Sequence, residues 1–378
     1  MLDYDTLRII WWLILGVLLI GFAIMDGFDL GVGAIFRFIG RTDEERRTLL
    51  AAVEPVWEGN QVWFILGGGA VFAAWPELYA ASFSGLYLAM LLLLAAFILR
   101  PVGFTYRNKL TDPRWRYVWD WALFVGGAVP ALLFGVAVGN LFLGVPFHFD
   151  ELHRSIYTGG FFELLHPYAL LTGLVSVSMI VMHGSAYAAL KVGEPMSERA
   201  CKLGQTAAST FMLAFLVAGV WVSVAMNGYS IEGTFGKLTA HPTAYHHVMA
   251  TQGGWLENYR VHPLLWVLPG GALFFALMTR VLLGMRQAGA AFISSALTQA
   301  ATILTAGFAL FPFLMPSSEV ADDGLTVWNA SSSERTLRIM LVAVVIFLPI
   351  VLAYTAWVFR VLKGRITLEV LRGHSELY

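Results

Sequence analysis

Nine stretches, each near or above the ~20 mostly apolar residues that a helix needs to cross a ~30 Å hydrocarbon layer, recur along this chain. They lie at 9–36, 53–74, 78–99, 117–140, 164–190, 206–226, 263–283, 288–311 and 338–360. Backbone polar groups in lipid must be satisfied within a helix or a closed barrel, so such a series leaves few folds open. Period-2 alternation is absent from all nine, which sets a β-barrel aside. The expected fold is an all-α integral membrane protein of nine transmembrane helices. Composition agrees, because 13% of the 378 residues are charged against roughly 25% in ordinary domains. That is too little charge to clothe a soluble enzyme. One cysteine, Cys201, leaves no internal disulfide framework. With 24 Lys and Arg against 25 Asp and Glu, there is no basic footprint for nucleic acid.

The basic residues also give a direction. Eighteen of the 24 fall after the odd-numbered spans and six fall at the N-terminus or after the even ones. The positive-inside rule then places the N-terminus outside, on the periplasmic face, and the C-terminus in the cytoplasm. Asp3 and Asp5 precede the first span where a signal peptide would carry basic residues, so it reads as a retained span. The longer loops, 141–163, 227–262 and 312–337, fall outside and are too short or too apolar for a soluble domain. No fixed-period repeat interrupts the pattern, and residues 1–378 read as a single polytopic membrane domain.

Ionisable groups inside a span cost about 2.5–3.5 kcal/mol each on insertion scales and mark function by default. Asp26 and Asp29, in the string Met25-Asp26-Gly27-Phe28-Asp29-Leu30-Gly31, are three apart and share a helix face. Glycines 27, 31 and 33 around them permit close helix approach. The second span opens with Glu54-Pro55-Val56-Trp57-Glu58-Gly59-Asn60-Gln61, whose spacing puts Glu54, Glu58 and Gln61 on one face. Arg100-Pro101 ends the third span and Trp119-Asp120-Trp121 begins the fourth. The topology therefore gathers Asp26, Asp29, Glu54, Glu58, Asp120 and Arg100 in the cytoplasmic half. Partly desolvated carboxyls near one another are expected to titrate high and to exchange protons. The blander reading is that Glu54 and Asp120 sit among headgroups, Arg100 neutralises an acid, and the glycines serve packing.

Haem in a membrane bundle needs axial His or Met ligands on facing helices. Of the histidines, His183 lies well inside a span, His166 and His262 lie at outer ends, and His246-His247 sits in a loop without a third ligand nearby. His183 reads as a hydrogen-bonded bundle histidine, so no haem or metal ligation is expected from this chain. No phosphate-cradling loop, nucleophile elbow or zinc pattern appears. Asn329-Ala330-Ser331 matches a glycosylation sequon, a match too short to carry weight, and tryptophans 11, 12, 57, 75, 115, 119, 121 and 357 fall near span ends as an aromatic belt.

These strings resemble subunit II of the bacterial cytochrome bd quinol oxidases. The match runs from Trp11-Trp12 and Asp26-Gly27-Phe28-Asp29-Leu30-Gly31-Val32-Gly33 through Trp57-Glu58-Gly59-Asn60-Gln61-Val62-Trp63 and Arg100-Pro101-Val102-Gly103-Phe104. It continues through Gly144-Val145-Pro146-Phe147, Phe311-Pro312-Phe313 and Met315-Pro316-Ser317-Ser318 to the terminal Leu377-Tyr378. The resemblance implies a bacterial inner-membrane complex that oxidises quinol and reduces O2 to water. In it, subunit I carries haems b558, b595 and d, and small single-span subunits attach. It also implies a proton path through the acid of the Trp-acid-Gly-Asn motif, here Glu58 where Asp is also familiar, and a structural quinone.

Two site readings follow. Glu58, Asp26, Asp29 and Glu54 form a cytoplasmic proton path, and Trp57, Asn60, Gln61, Arg100 and Asp120 flank a quinone headgroup. The competing function is a proton-coupled secondary transporter, for which intramembrane acids would also serve. A purely structural scaffold for subunit I is the third reading.

Overall fold

The computed structural model describes residues 3–231 and 248–366. Its helices are α1 (Tyr4–Ile39), α2 (Asp43–Val53), α3 (Trp57–Ala74), α4 (Pro76–Gly85), α5 (Tyr87–Tyr106) and α6 (Pro113–Leu143). There follow α7 (Pro167–Lys191), α8 (Met196–Ala225), the short α9 (Glu257–Val261), α10 (Val267–Gly284), α11 (Ala288–Leu310) and α12 (Glu334–Val361). Among the described residues, eight helices are long and apolar enough to cross a membrane: α1, α5, α6, α7, α8, α10 with the turn before it, α11 and α12. A ninth exists only if α3 and α4 count together, and that pair is bent by 116°.

The bend corrects two expected boundaries. The run 53–74 loses its first residues, because Val53 ends α2 and the chain turns over residues 54–56 before α3 starts. The run 78–99 is divided, its first part lying in α4 and the rest in α5, which continues to Tyr106. Pro76 explains the break: it brings no N–H and excludes helical geometry from the residue before it. Trp75 accordingly sits at φ −138°, ψ 72°. Hydropathy sees only apolar residues on both sides.

α1 is the spine. Gly31 meets Gly184 of α7, where a Cβ on Gly31 would lie 2.3 Å from the Ile180 carbonyl oxygen. Gly127 of α6 meets the same helix, and a Cβ there would lie 2.5 Å from the Leu30 carbonyl. Backbones that touch leave no room for any larger residue. Phe28, buried between these contacts, stacks on Tyr187 at 4.0 Å.

One end of the bundle carries α2, an amphipathic helix capped by Thr42 and Glu45 in a reciprocal capping box. The other carries short antiparallel hairpins: β1 (Phe147–Phe149) with β2 (Ser155–Tyr157), β3 (Asn227–Ile231) with β4 (Val248–Gln252), and β5 (Phe313–Met315) with β6 (Leu325–Thr326). Trp255 Nε1 donates to the Phe142 carbonyl beneath them. α12 stands apart, with Leu337 its one buried residue. It is tied at one end by Trp11 Nε1 donating to the Leu337 carbonyl (2.9 Å) and at the other by Lys191 Nζ donating to the Leu362 carbonyl.

Candidate functional site

α1 delivers Asp26 and Asp29 into the bundle on adjacent turns, both essentially inaccessible. α5 brings Arg100 to Asp26 in a two-pronged pair, Nη1 donating to Oδ2 at 3.0 Å and Nη2 to Oδ1 at 2.7 Å. The planar guanidinium matches the carboxylate fork. Room for it comes from α6, where a Cβ on Gly126 would lie 2.9 Å from Arg100 Cγ. From α3, Asn60 Nδ2 donates to Asp29 Oδ2 at 2.8 Å. Asp29 Oδ1 and Arg100 Nε are buried without a hydrogen-bond partner.

The chemistry of this group is asymmetric. Asp26 and Arg100 cancel one another, whereas Asp29 has an amide for company and an oxygen left over. A small cavity opens beside it, lined by Asp29, Val32, Phe36, Leu50, Phe104 and Leu123. It reaches from the carboxyl towards the buried face of α2.

Asp120 belongs elsewhere, which corrects the expected single cluster. Its carboxylate takes Arg107 Nε at 2.5 Å and Arg46 Nη1 at 2.6 Å. Arg107 Nη2 and Arg116 Nη1 then converge on Asp43, at 2.9 and 2.7 Å. This network stitches α2 to the ends of α5 and α6. Sequence reasoning passed over Arg46, Arg107, Arg116 and Asp43, all outside the apolar runs. Their one visible signal is that Arg107 follows Arg100 by seven residues, two turns along one face of α5.

Glu54 does not share a face with Glu58 and Gln61. It caps the C-terminal end of α2 and lies half-buried in the turn before α3, where burial pushes its carboxyl above the ordinary range. Glu58, in the first turn of α3, is exposed on the outside of the bundle. Trp57 and Gln61 are partly buried, and the Trp57 ring lies 5.7 Å from Phe104.

Three members of the expected quinone set are already engaged: Arg100 holds Asp26, Asn60 holds Asp29, and Asp120 holds Arg107 and Arg46. His183 places Nδ1 2.7 Å from Ser295 Oγ and Nε2 2.9 Å from the Ile24 carbonyl, and it stacks on Phe292. Both ring nitrogens are spent, so its chemistry does not fit an axial ligand. Among the described residues no three His, Cys, Asp or Glu side chains are grouped to hold a metal. His246 and His247 lie outside the described residues.

The sequence profile of the family described as cytochrome bd terminal oxidase subunit II matches residues 7–362. The chain is 48% identical, over the full length of both, to cytochrome bd-I ubiquinol oxidase subunit 2 of Escherichia coli (strain K12). It is 30% identical to cytochrome bd ubiquinol oxidase subunit 2 of Bacillus subtilis (strain 168), over 96% of this chain and 97% of that one. A chain in the solved structure of bd oxidase from Geobacillus thermodenitrificans superposes with a TM-score of 0.70 at 17% identity. That match covers 94% of this chain and 98% of the other, and it speaks for the fold alone.

Proposed function

The chain belongs to the cytochrome bd terminal oxidase subunit II family, and from that premise we propose that it is the haem-free subunit completing a quinol:O2 oxidoreductase. Such a complex sits in the bacterial inner membrane and reduces oxygen to water. Subunit I would hold haems b558, b595 and d, which supply the electron transfer, and small single-span subunits would attach to the pair. The transporter reading loses its ground with the family membership. The chain is read as one polytopic domain over 1–378, N-terminus outside and C-terminus in the cytoplasm. The concentration of Arg46, Arg107, Arg116 and Arg199 around α2 supports that orientation.

Within the complex this chain would conduct protons from the cytoplasmic face. The observation that carries the reading is the asymmetry of the buried carboxyls. Asp26 is occupied through both its oxygens by Arg100 and would serve as a fixed structural pair. Asp29, with Oδ1 open and a cavity beside it, is the group free to take up and release a proton. Glu54, at the turn between α2 and α3, would collect protons from the water-facing end. Glu58 points out of the bundle and would pass a proton to the partner subunit rather than to Asp29. The quinone reading narrows to Trp57 and Gln61, one helical turn apart on α3, with phospholipid as the other ligand of the membrane face. The bland alternative, acids that only satisfy packing, would leave proton uptake unchanged.

The test is turnover and cytoplasmic proton uptake in the assembled complex. Glu58→Gln and Asp29→Asn should each lower both while leaving the haem spectrum intact. Wild-type rates in both variants would end the proton-path reading.

A further inference from the structure

At the α2 end of the bundle, Arg37 occupies the last turn of α1. Its neighbours Arg46, Arg107, Arg116 and Arg199 each hold a carboxylate. Among the described residues Arg37 has no hydrogen bond or ion pair, and its Nη1 is buried without a partner. Aromatic rings from α6 hold it instead. The guanidinium carbon lies 4.7 Å from the centre of Tyr117 and 4.2 Å from that of Trp121. Cation–π contact of this kind fixes the plane of the guanidinium but satisfies none of its N–H groups, which are directed along its edges.

The surroundings say what can meet those edges. Phe38, Tyr117, Val118 and Trp121 are all exposed, Phe38 by 63% and Val118 by 62%. Phe124 continues the wall, 6.0 Å from Phe38 and 5.5 Å from Trp121. Together these exposed side chains form an apolar strip along α1 and α6, a groove wall with a cation at its end. Its depth follows from the chain itself: Arg116, one residue before Tyr117, is paired with Asp43 of the surface helix α2. Arg37 therefore lies where lipid headgroups begin, and an unpaired cation there attracts the anions of the headgroup layer.

We propose that Arg37, clamped by Tyr117 and Trp121, binds the phosphate of a membrane phospholipid whose acyl chain lies along the α1–α6 groove. A phosphodiester has two free oxygens and accepts the guanidinium fork in a bidentate manner. A lysine could not reproduce both contacts. The site is independent of the proton path, since it shares no residue with it.

The experiment uses the whole complex in phosphatidylcholine nanodiscs doped with a photoactivatable phosphatidylglycerol, with labelled peptides identified by mass spectrometry. Wild type should be labelled in 37–38 and 117–124. Arg37→Gln should lose that labelling by roughly tenfold, the scale of one charge-assisted hydrogen bond, and Arg37→Lys should fall between. An unchanged haem spectrum serves as the assembly control. Should Arg37→Gln fail to assemble, the wild-type labelling and the Arg37→Lys decrease carry the decision. Equal labelling of wild type and variant overturns the proposal. So does loss of wild-type labelling on adding inorganic phosphate, which would make this a site for the free anion. Wild type that takes lipid label elsewhere on the chain but none in 37–38 or 117–124 would assign the groove to protein and overturn it as well.

Discussion

Asp26 and Arg100, 74 residues apart in sequence, meet inside the bundle through both carboxylate oxygens and both terminal guanidinium nitrogens. Neither is more than 2% exposed. Removing one partner leaves an uncompensated charge in a low-dielectric interior, at about 3–5 kcal/mol. Asp26→Asn and Arg100→Gln should each destabilise the complex on that scale. The double variant should recover part of the loss, because both charges then go together. Thermal melts followed by loss of the complex decide it, and single variants that melt like wild type would contradict a structural pair.

The contact between Gly31 and Gly184 predicts a sharp positional effect. Gly31→Ala forces a methyl against the Ile180 carbonyl, where the backbone cannot yield, at roughly 1–3 kcal/mol for overpacking. Gly16→Ala on the same helix meets nothing within 4 Å and should be tolerated. Expression and melting temperature compare the two. Equal behaviour would show that α1 and α7 do not depend on this approach.

Asp120 anchors α2 through Arg46 and Arg107. Asp120→Asn leaves those guanidinium groups without their shared counter-charge. Faster amide exchange is expected across 43–53, with 87–99 of α5 unaffected. Uniform exchange behaviour across both segments would mean that α2 is held by its apolar face alone.

Glu45 supplies a pH dependence with a definite sign. Burial by itself raises the carboxyl, but the Arg199 hydrogen bond at 2.8 Å and the amides of Arg41 and Thr42 outweigh it and hold Glu45 below its ordinary 4.5. A group with a depressed folded pKa stabilises the fold above its unfolded pKa and loses that contribution as pH falls through the folded value. Stability should therefore drop on acidification below 4.5, and Arg199→Gln should start lower at neutral pH and slope less in that window. Parallel curves for the two proteins would exclude the pair as the cause.

Much of this was legible beforehand, for reasons that differ by element. The spans follow from apolar length, and Asp26, Asp29 and Arg100 stood out because charge is rare among them. Their partners did not follow. Spacing along one helix places Asp26 beside Asp29, yet it carries no information on which residue of another helix each will meet. Glu54 was misplaced for a local reason: its spacing from Glu58 suits a helix, but the chain turns between them. The break at Trp75-Pro76 was hidden by apolar residues on both flanks. The Asp43, Arg46, Arg107 and Arg116 network lay outside the apolar windows, where charge is expected and so draws no notice.

The open oxygen of Asp29 has an electrical consequence. Ten residues separate it from the end of α1 at Ile39, about 15 Å of helix, so in the proposed orientation the carboxyl would lie within the thickness over which the transmembrane voltage drops. Since Asp26 and Arg100 cancel, a proton settling on Asp29 is a net displacement of charge through part of that field, worth a fraction of the ~2.3 kcal/mol per charge per 100 mV of the full drop. On the proposed proton path, occupancy of this one carboxyl would be tied to how strongly the cell membrane is energised, and a rapid change of voltage should register there as a small capacitive current.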